Sequence, residues 1–204
     1  MIRIKICGIT NVDDALAAAE AGADAIGMIF ADSPRRITPE QAARIVAALP
    51  PFLTTVGVFV DADAATIERI VRQVRLDRVQ LHGSEPPELA RRLSRRVIRR
   101  LRIGPNIGIE ALRREADRWS GCALLLDPGA GSGETFDWGL AAQLGRPVIV
   151  AGGLTCGNVA KAIRTARPAA VDVCSGVERE PGRKDARRMQ EFVARVREEE
   201  RREK

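Results

Sequence analysis

Residues 2–6 alternate strictly, with Ile2, Ile4 and Ile6 on one face and Arg3 and Lys5 on the other; Cys7 continues the second face. That period of two marks a β-strand, because successive side chains of an extended backbone point to opposite sides. Short apolar runs recur at 25–30, 54–60, 78–81, 97–101, 123–126, 147–151 and 170–174. Between them the spacing turns helical, over 12–21, 39–49, 64–74, 87–93, 109–119, 138–144, 158–166 and 185 to about 197. Eight strands, each followed by a helix, predict parallel βα units that close into an α/β barrel of the (β/α)8 or TIM type. One such domain accounts for residues 1–204.

Local signals fix two helix starts. Thr38-Pro39-Glu40-Gln41 combines a capping threonine, proline at the first helical position and glutamine three residues after the cap. Asn11 caps the first helix, with Asp13 and Asp14 favourably placed in its first turn.

Composition narrows the function classes. Hydrophobic residues make up 45% of the chain, yet no run approaches the roughly eighteen uninterrupted apolar residues of a membrane span. The N-terminus opens directly into a strand pattern rather than a secretory leader, so a cytoplasmic location is expected. Four scattered cysteines and the single His82 suggest neither a disulfide framework nor a zinc ligand set, and no metal is expected. The net charge of +6 fits a nucleic-acid partner or an anionic small substrate. The arginines, over 91–102, 113–118 and 183–202, are interleaved with acids and lack aromatic partners, as on solvated helix faces. That distribution favours a small anionic substrate over nucleic acid.

Chemistry in a βα barrel gathers after the strands, at their C-terminal ends. Cys7, Arg35, His82, Asp127, Gly152-Gly153 and Ser175-Gly176 all fall there. For Cys7, position alone leaves open a buried apolar role and a catalytic one; Lys5, one step below on the same face, would favour thiolate. Glycines after strands seven and eight let backbone N–H groups approach a phosphate. A further run, 129–134, containing Gly131 and Gly133, follows strand six and is placed to cover a substrate.

The chain resembles the phosphoribosylanthranilate isomerase family of tryptophan biosynthesis. The resemblance rests on Lys5-Ile6-Cys7-Gly8-Ile9-Thr10, Gly57-Val58-Phe59-Val60, Val79-Gln80-Leu81-His82-Gly83, Leu126-Asp127, and Gly131-Ser132-Gly133-Glu134-Thr135-Phe136-Asp137-Trp138. Ala151-Gly152-Gly153-Leu154 and Val171-Asp172-Val173-Cys174-Ser175-Gly176-Val177-Glu178 complete it, in family order along nearly the whole chain.

The resemblance implies an Amadori rearrangement of an aminoaldose phosphate to an aminoketose without a cofactor. Asp127 is then the general acid that opens the furanose ring and Cys7 the general base that removes the C2 proton. Such an acid must hold a proton near neutral pH, which desolvation and the negative charges of the substrate would favour. Arg35 resembles the family arginine that grips the anthranilate carboxylate, with the neighbouring Arg36 as the alternative. Gly131, Gly133, Gly152, Gly153, Ser175 and Gly176 are implied phosphate contacts. Asp172, inward on strand eight, is expected to orient substrate or pair with an interior cation such as Lys5. His82 is a candidate substrate contact, with a structural role as its alternative. Cys174 stands where the family commonly has serine, and a thiol is a weaker hydrogen-bond donor. A histidine-pathway isomerase on this scaffold would carry aspartate at the Cys7 position; a non-catalytic phosphate-binding barrel would not need both Cys7 and Asp127. Both a monomer and a homodimer fit the sequence.

Overall fold

Strands β1 (Arg3–Ile6), β2 (Ala25–Ile29), β3 (Thr54–Phe59), β4 (Arg78–Leu81), β5 (Arg96–Arg102), β6 (Ala123–Asp127), β7 (Val148–Val150) and β8 (Ala170–Val173) pair in parallel, each with the next, and β8 returns to β1. The computed structural model describes residues 1–104, 106–129 and 135–202. Among the described residues seven helices fill the crossovers: α1 (Val12–Ala21), α2 (Pro39–Ala48), α3 (Ala64–Val74), α4 (Pro87–Arg91), α5 (Ile109–Arg118), α6 (Gly139–Gln143) and α7 (Val159–Ala166). The terminal α8 spans Ala186–Arg202, past the expected end near 197. Among the described residues no helix is long and apolar enough to cross a membrane.

Strand alternation builds two apolar layers. Ile4, Ile6, Ile26 and Met28 point outward into the shell shared with the helices, and all four are fully buried. Val56, Ile98, Leu125 and Ala151 form a separate cluster inside the barrel. The helix starts behave as their sequences require. Thr38 and Gln41 form a reciprocal capping box, with the Gln41 amide 3.2 Å from Thr38 Oγ1 and the Thr38 amide 2.8 Å from Gln41 Oε1. Asn11 accepts from the Asp14 amide at 2.8 Å.

Two features depart from the sequence expectation. Arg99 and Arg100 lie in the strand expected over 97–101 but are not solvated as the arginine run is expected to be. Arg99 is buried: Nη1 lies 2.6 Å from Glu85 Oε2, Nη2 donates to the Gly83 carbonyl at 3.0 Å, and the guanidinium sits 4.5 Å from the centre of the Trp119 ring. Glu85 Oε1 in turn accepts from the Asp61 and Gly83 amides at 3.0 and 3.1 Å. One buried ion pair therefore ties the loops after β3 and β4 to β5.

The second departure is a hairpin between β8 and α8. A 3-10 turn over Ser175–Val177 leads into β9 (Glu178–Glu180), which pairs antiparallel with β10 (Arg183–Lys184). Strands of three and two residues are too short to show a period. Gly182, at φ +78°, makes the turn. Glu178 accepts Arg35 Nε and Nη2 at 2.8 and 2.7 Å and Lys184 Nζ at 2.9 Å. Burial pushes its carboxyl up, and these two cations outweigh burial, so it titrates below the ordinary glutamate value.

Two outcomes follow for stability. Arg99→Met strands a buried carboxylate and should cost about 3 kcal/mol in urea denaturation, within the range for breaking one side of a buried pair. A carboxyl held low in the folded state stabilises fully above its unfolded pKa of about 4.3 and loses that contribution as the pH falls through its folded value. Stability should decline as the pH is taken below about 4, and less steeply in Glu178→Gln; equal acid limbs would contradict the pairing.

Candidate active site

A cavity of about 360 Å³ opens at the C-terminal ends of the strands, lined among others by Cys7, Arg35, His82, Asp127, Asp172, Gly152, Gly153 and Ser175. Alternation delivers the inward set: Lys5 and Cys7 from β1, Gln80 and His82 from β4, Asp127 from β6, Asp172 and Cys174 from β8. Gly176 lies just behind, where a side chain would collide with the Leu154 carbonyl, so the loops after β7 and β8 pack backbone to backbone. Gly152 and Gly153 both adopt left-handed backbone, at φ +83° and +58°. Gly131 and Gly133 lie outside the described residues.

Cys7 is buried beside Gly27, whose missing side chain leaves the space that Sγ and the Lys5 stem occupy. Below it, Lys5 Nζ bonds both carboxylate oxygens of Asp172 at 2.9 Å. Burial opposes the ammonium, but the pairing with Asp172 favours it and keeps Lys5 protonated. The Lys5 partner anticipated for Asp172 is thus present. The thiolate expected from Lys5 is not: burial pushes the Cys7 thiol up, and the opposing pull of Lys5 is offset in part by Asp172. In the free protein Cys7 is a neutral thiol. Cys174 behaves likewise, pushed up to about 12 by burial against the pull of Lys184.

Asp127 ends β6 with 5% of its surface exposed. Oδ1 accepts from the Gly129 amide at 3.2 Å; Oδ2 lies 3.3 Å from His82 Nε2 and 3.5 Å from Arg100 Nε. Gln80, 1% exposed, places its amide nitrogen 2.9 Å from His82 Nδ1. Gln80 thus engages Nδ1 and leaves Nε2 facing Asp127. His82 therefore lies against Asp127 as well as lining the cavity. Gln80 and Arg100 were not singled out from sequence, although strand period alone puts Gln80 on the face of His82 and Arg100 on that of Ile98.

Arg35 lines the cavity, whereas Arg36 is exposed. The Arg35 guanidinium is forked onto Glu178, a partner that sequence spacing of 143 residues conceals. Among the described residues no group of three or more His, Cys, Asp or Glu side chains is placed to hold a metal ion.

The family described as N-(5'-phosphoribosyl)anthranilate (PRA) isomerase matches residues 4–195. An N-(5'-phosphoribosyl)anthranilate isomerase of Geobacter sulfurreducens is 50% identical, with 96% of this chain and 98% of that protein covered. Its counterpart in Acidithiobacillus ferrooxidans is 52% identical over 97% and 98%. Among solved structures, phosphoribosyl anthranilate isomerase from Thermotoga maritima superposes with a TM-score of 0.88 at 42% identity, covering 97% of this chain and 100% of that one. Another, in complex with reduced 1-(o-carboxyphenylamino)-1-deoxyribulose 5-phosphate, gives 0.86 at 42% identity and the same coverage. With the barrel, the inward cysteine and the strand-six aspartate all in place, the chain belongs to the N-(5'-phosphoribosyl)anthranilate isomerase family.

Proposed function

We infer that the chain converts N-(5-phosphoribosyl)anthranilate into 1-(2-carboxyphenylamino)-1-deoxyribulose 5-phosphate, an Amadori rearrangement in tryptophan biosynthesis. One observation carries the assignment of roles: Cys7, just after β1, and Asp127, at the end of β6, face one cavity. A volume of about 360 Å³ suits a single small ligand.

Asp127 delivers a proton to the furanose oxygen as the C1–O bond breaks and the anilino nitrogen forms an iminium. The carboxylate left behind faces His82 Nε2 at 3.3 Å and Arg100 Nε at 3.5 Å. Cys7, as thiolate, removes the proton from C2; the electron pair forms the enolamine, which tautomerises to the ketone. Lys5 and the nascent iminium are the two positive charges that favour that thiolate over the neutral thiol of the free protein. The phosphate is held by backbone N–H groups of the Gly152-Gly153 and Ser175-Gly176 loops. Arg35 takes the anthranilate carboxylate, and Asp172 fixes Lys5 beneath the base.

A second copy of the chain is the proposed macromolecular partner. Phe52, between α2 and β3, is fully exposed and held at φ +72°, an uncommon conformation for a bulky residue. It borders a second opening at the N-terminal ends of the strands. A solved relative from Thermotoga maritima, 39% identical with a TM-score of 0.87, is described as monomers generated from a dimeric phosphoribosylanthranilate isomerase. The proposed location is the cytoplasm, in keeping with four free thiols.

Purified protein should consume phosphoribosylanthranilate, followed as loss of its fluorescence, without added metal or nucleotide; no turnover would sink the assignment. Cys7→Ala and Asp127→Asn should each lower kcat by about 10²- to 10⁴-fold, the usual range for a general acid or base, with circular dichroism unchanged. Two active variants would refute the roles. Sedimentation should give a dimer for the wild-type chain and a monomer for Phe52→Glu; a wild-type monomer rules the pairing out.

A further inference from the structure

We propose that Glu178, presented by the β9–β10 hairpin, is a positioning residue that holds Arg35 in its carboxylate-binding pose and so sets selectivity for a substrate bearing an aromatic carboxylate. The proposal rests on the reading of Arg35 as the group that takes that carboxylate.

A guanidinium has two edges able to grip a carboxylate, one formed by Nε with a terminal nitrogen and one by the two terminal nitrogens. Glu178 occupies the first, at 2.8 and 2.7 Å. Among the described residues nothing hydrogen-bonds the second edge, whose two N–H groups can face a ligand. An arginine stem carries about 2 kcal/mol of rotamer entropy, so fixing it before the substrate arrives removes that cost from binding.

Glu178 is itself held from three sides. Lys184, wholly buried, donates to Glu178 Oε1 at 2.9 Å and to the Cys174 carbonyl at 3.1 Å. The Gly182 amide adds a third contact to Oε1 at 3.2 Å, and Arg188 bonds the Glu178 carbonyl. The hairpin is fastened to the barrel in turn: the Lys184 amide donates to Asp14 at 2.9 Å and Thr10 Oγ1 to the Gly182 carbonyl at 2.5 Å.

Charge makes the arrangement more than a brace. An isolated arginine–glutamate pair is neutral and has little left with which to attract an anion. Here two cations share one carboxylate, so the cluster keeps one net positive charge, at a point half-buried from water where it is weakly screened.

The test compares kcat/KM for phosphoribosylanthranilate with that for the same compound lacking the carboxylate, N-(5-phosphoribosyl)aniline, in the full chain. Arg35→Met should lower the preference for the carboxylated substrate about 100-fold, and Glu178→Gln about 10-fold and mostly through KM, as expected for losing or misaligning a charge-assisted bond. Glu178→Asp keeps the charge beside Lys184 but cannot span the fork, and should fall between Glu178→Gln and wild type; it carries the comparison if Glu178→Gln does not fold. A Glu178 variant that loses activity equally on both substrates marks a structural role and overturns the proposal. Loss of preference in Arg35→Met but not in the Glu178 variants overturns it alone. Preference retained in Arg35→Met overturns the reading of Arg35 and the proposal with it.

Discussion

β1 and β8 meet in parallel register from Arg3 against Ala170 to Ile6 against Val173, and this seam closes a sheet whose alternate side chains all face one interior. Closure imposes the chemistry as well as the shape. Lys5 lies directly across from Asp172 in that register, so the first and last strands bring a cation and an anion together where neither has water. Either one alone would be strongly unfavourable there, and the pair is tolerable because two hydrogen bonds satisfy it. The next inward position upward on each strand is a cysteine, Cys7 and Cys174, so the layer above the ion pair is the floor of the cavity.

Pairing also decides which groups remain available. Lys5 gives its charge to Asp172, and Cys7 is consequently governed by burial, as a thiol without a committed cationic partner. Asp127 has the opposite surroundings: His82, oriented by Gln80, and Arg100 both direct nitrogen toward the same oxygen. In the proposed roles, the base Cys7 gains positive charge only as it develops on the substrate, while the acid Asp127 already faces two nitrogens when it gives up its proton. Preorganised donors placed where charge develops are an effective source of transition-state stabilisation.

The barrel was legible because each unit repeats the same two periods, and eight repeats leave few alternatives. Strand ends were legible to within a residue or two for most elements, and with them Cys7, His82 and Asp127, since the C-terminal rim is defined by where strands stop. The β9–β10 hairpin was not legible, because five residues of extended chain carry no period. Arg99 and Arg100 were misread as solvated for a related reason. A charged residue in a short strand looks the same as one on a helix surface until its partners, Glu85 and Trp119 in one case and Asp127 in the other, are brought to it.

By itself the sequence determined the alternation that makes strands, the order of the units, the family motifs and the residue types at the strand ends. These are local properties, fixed by backbone geometry within a few residues. The tertiary structure alone decided which of those residues ionise and which pair. Lys5 with Asp172, Arg35 with Glu178 and His82 with Asp127 are separated by 167, 143 and 45 positions. Charge state depends on distance and burial in space, and no spacing along the chain encodes either until the barrel closes.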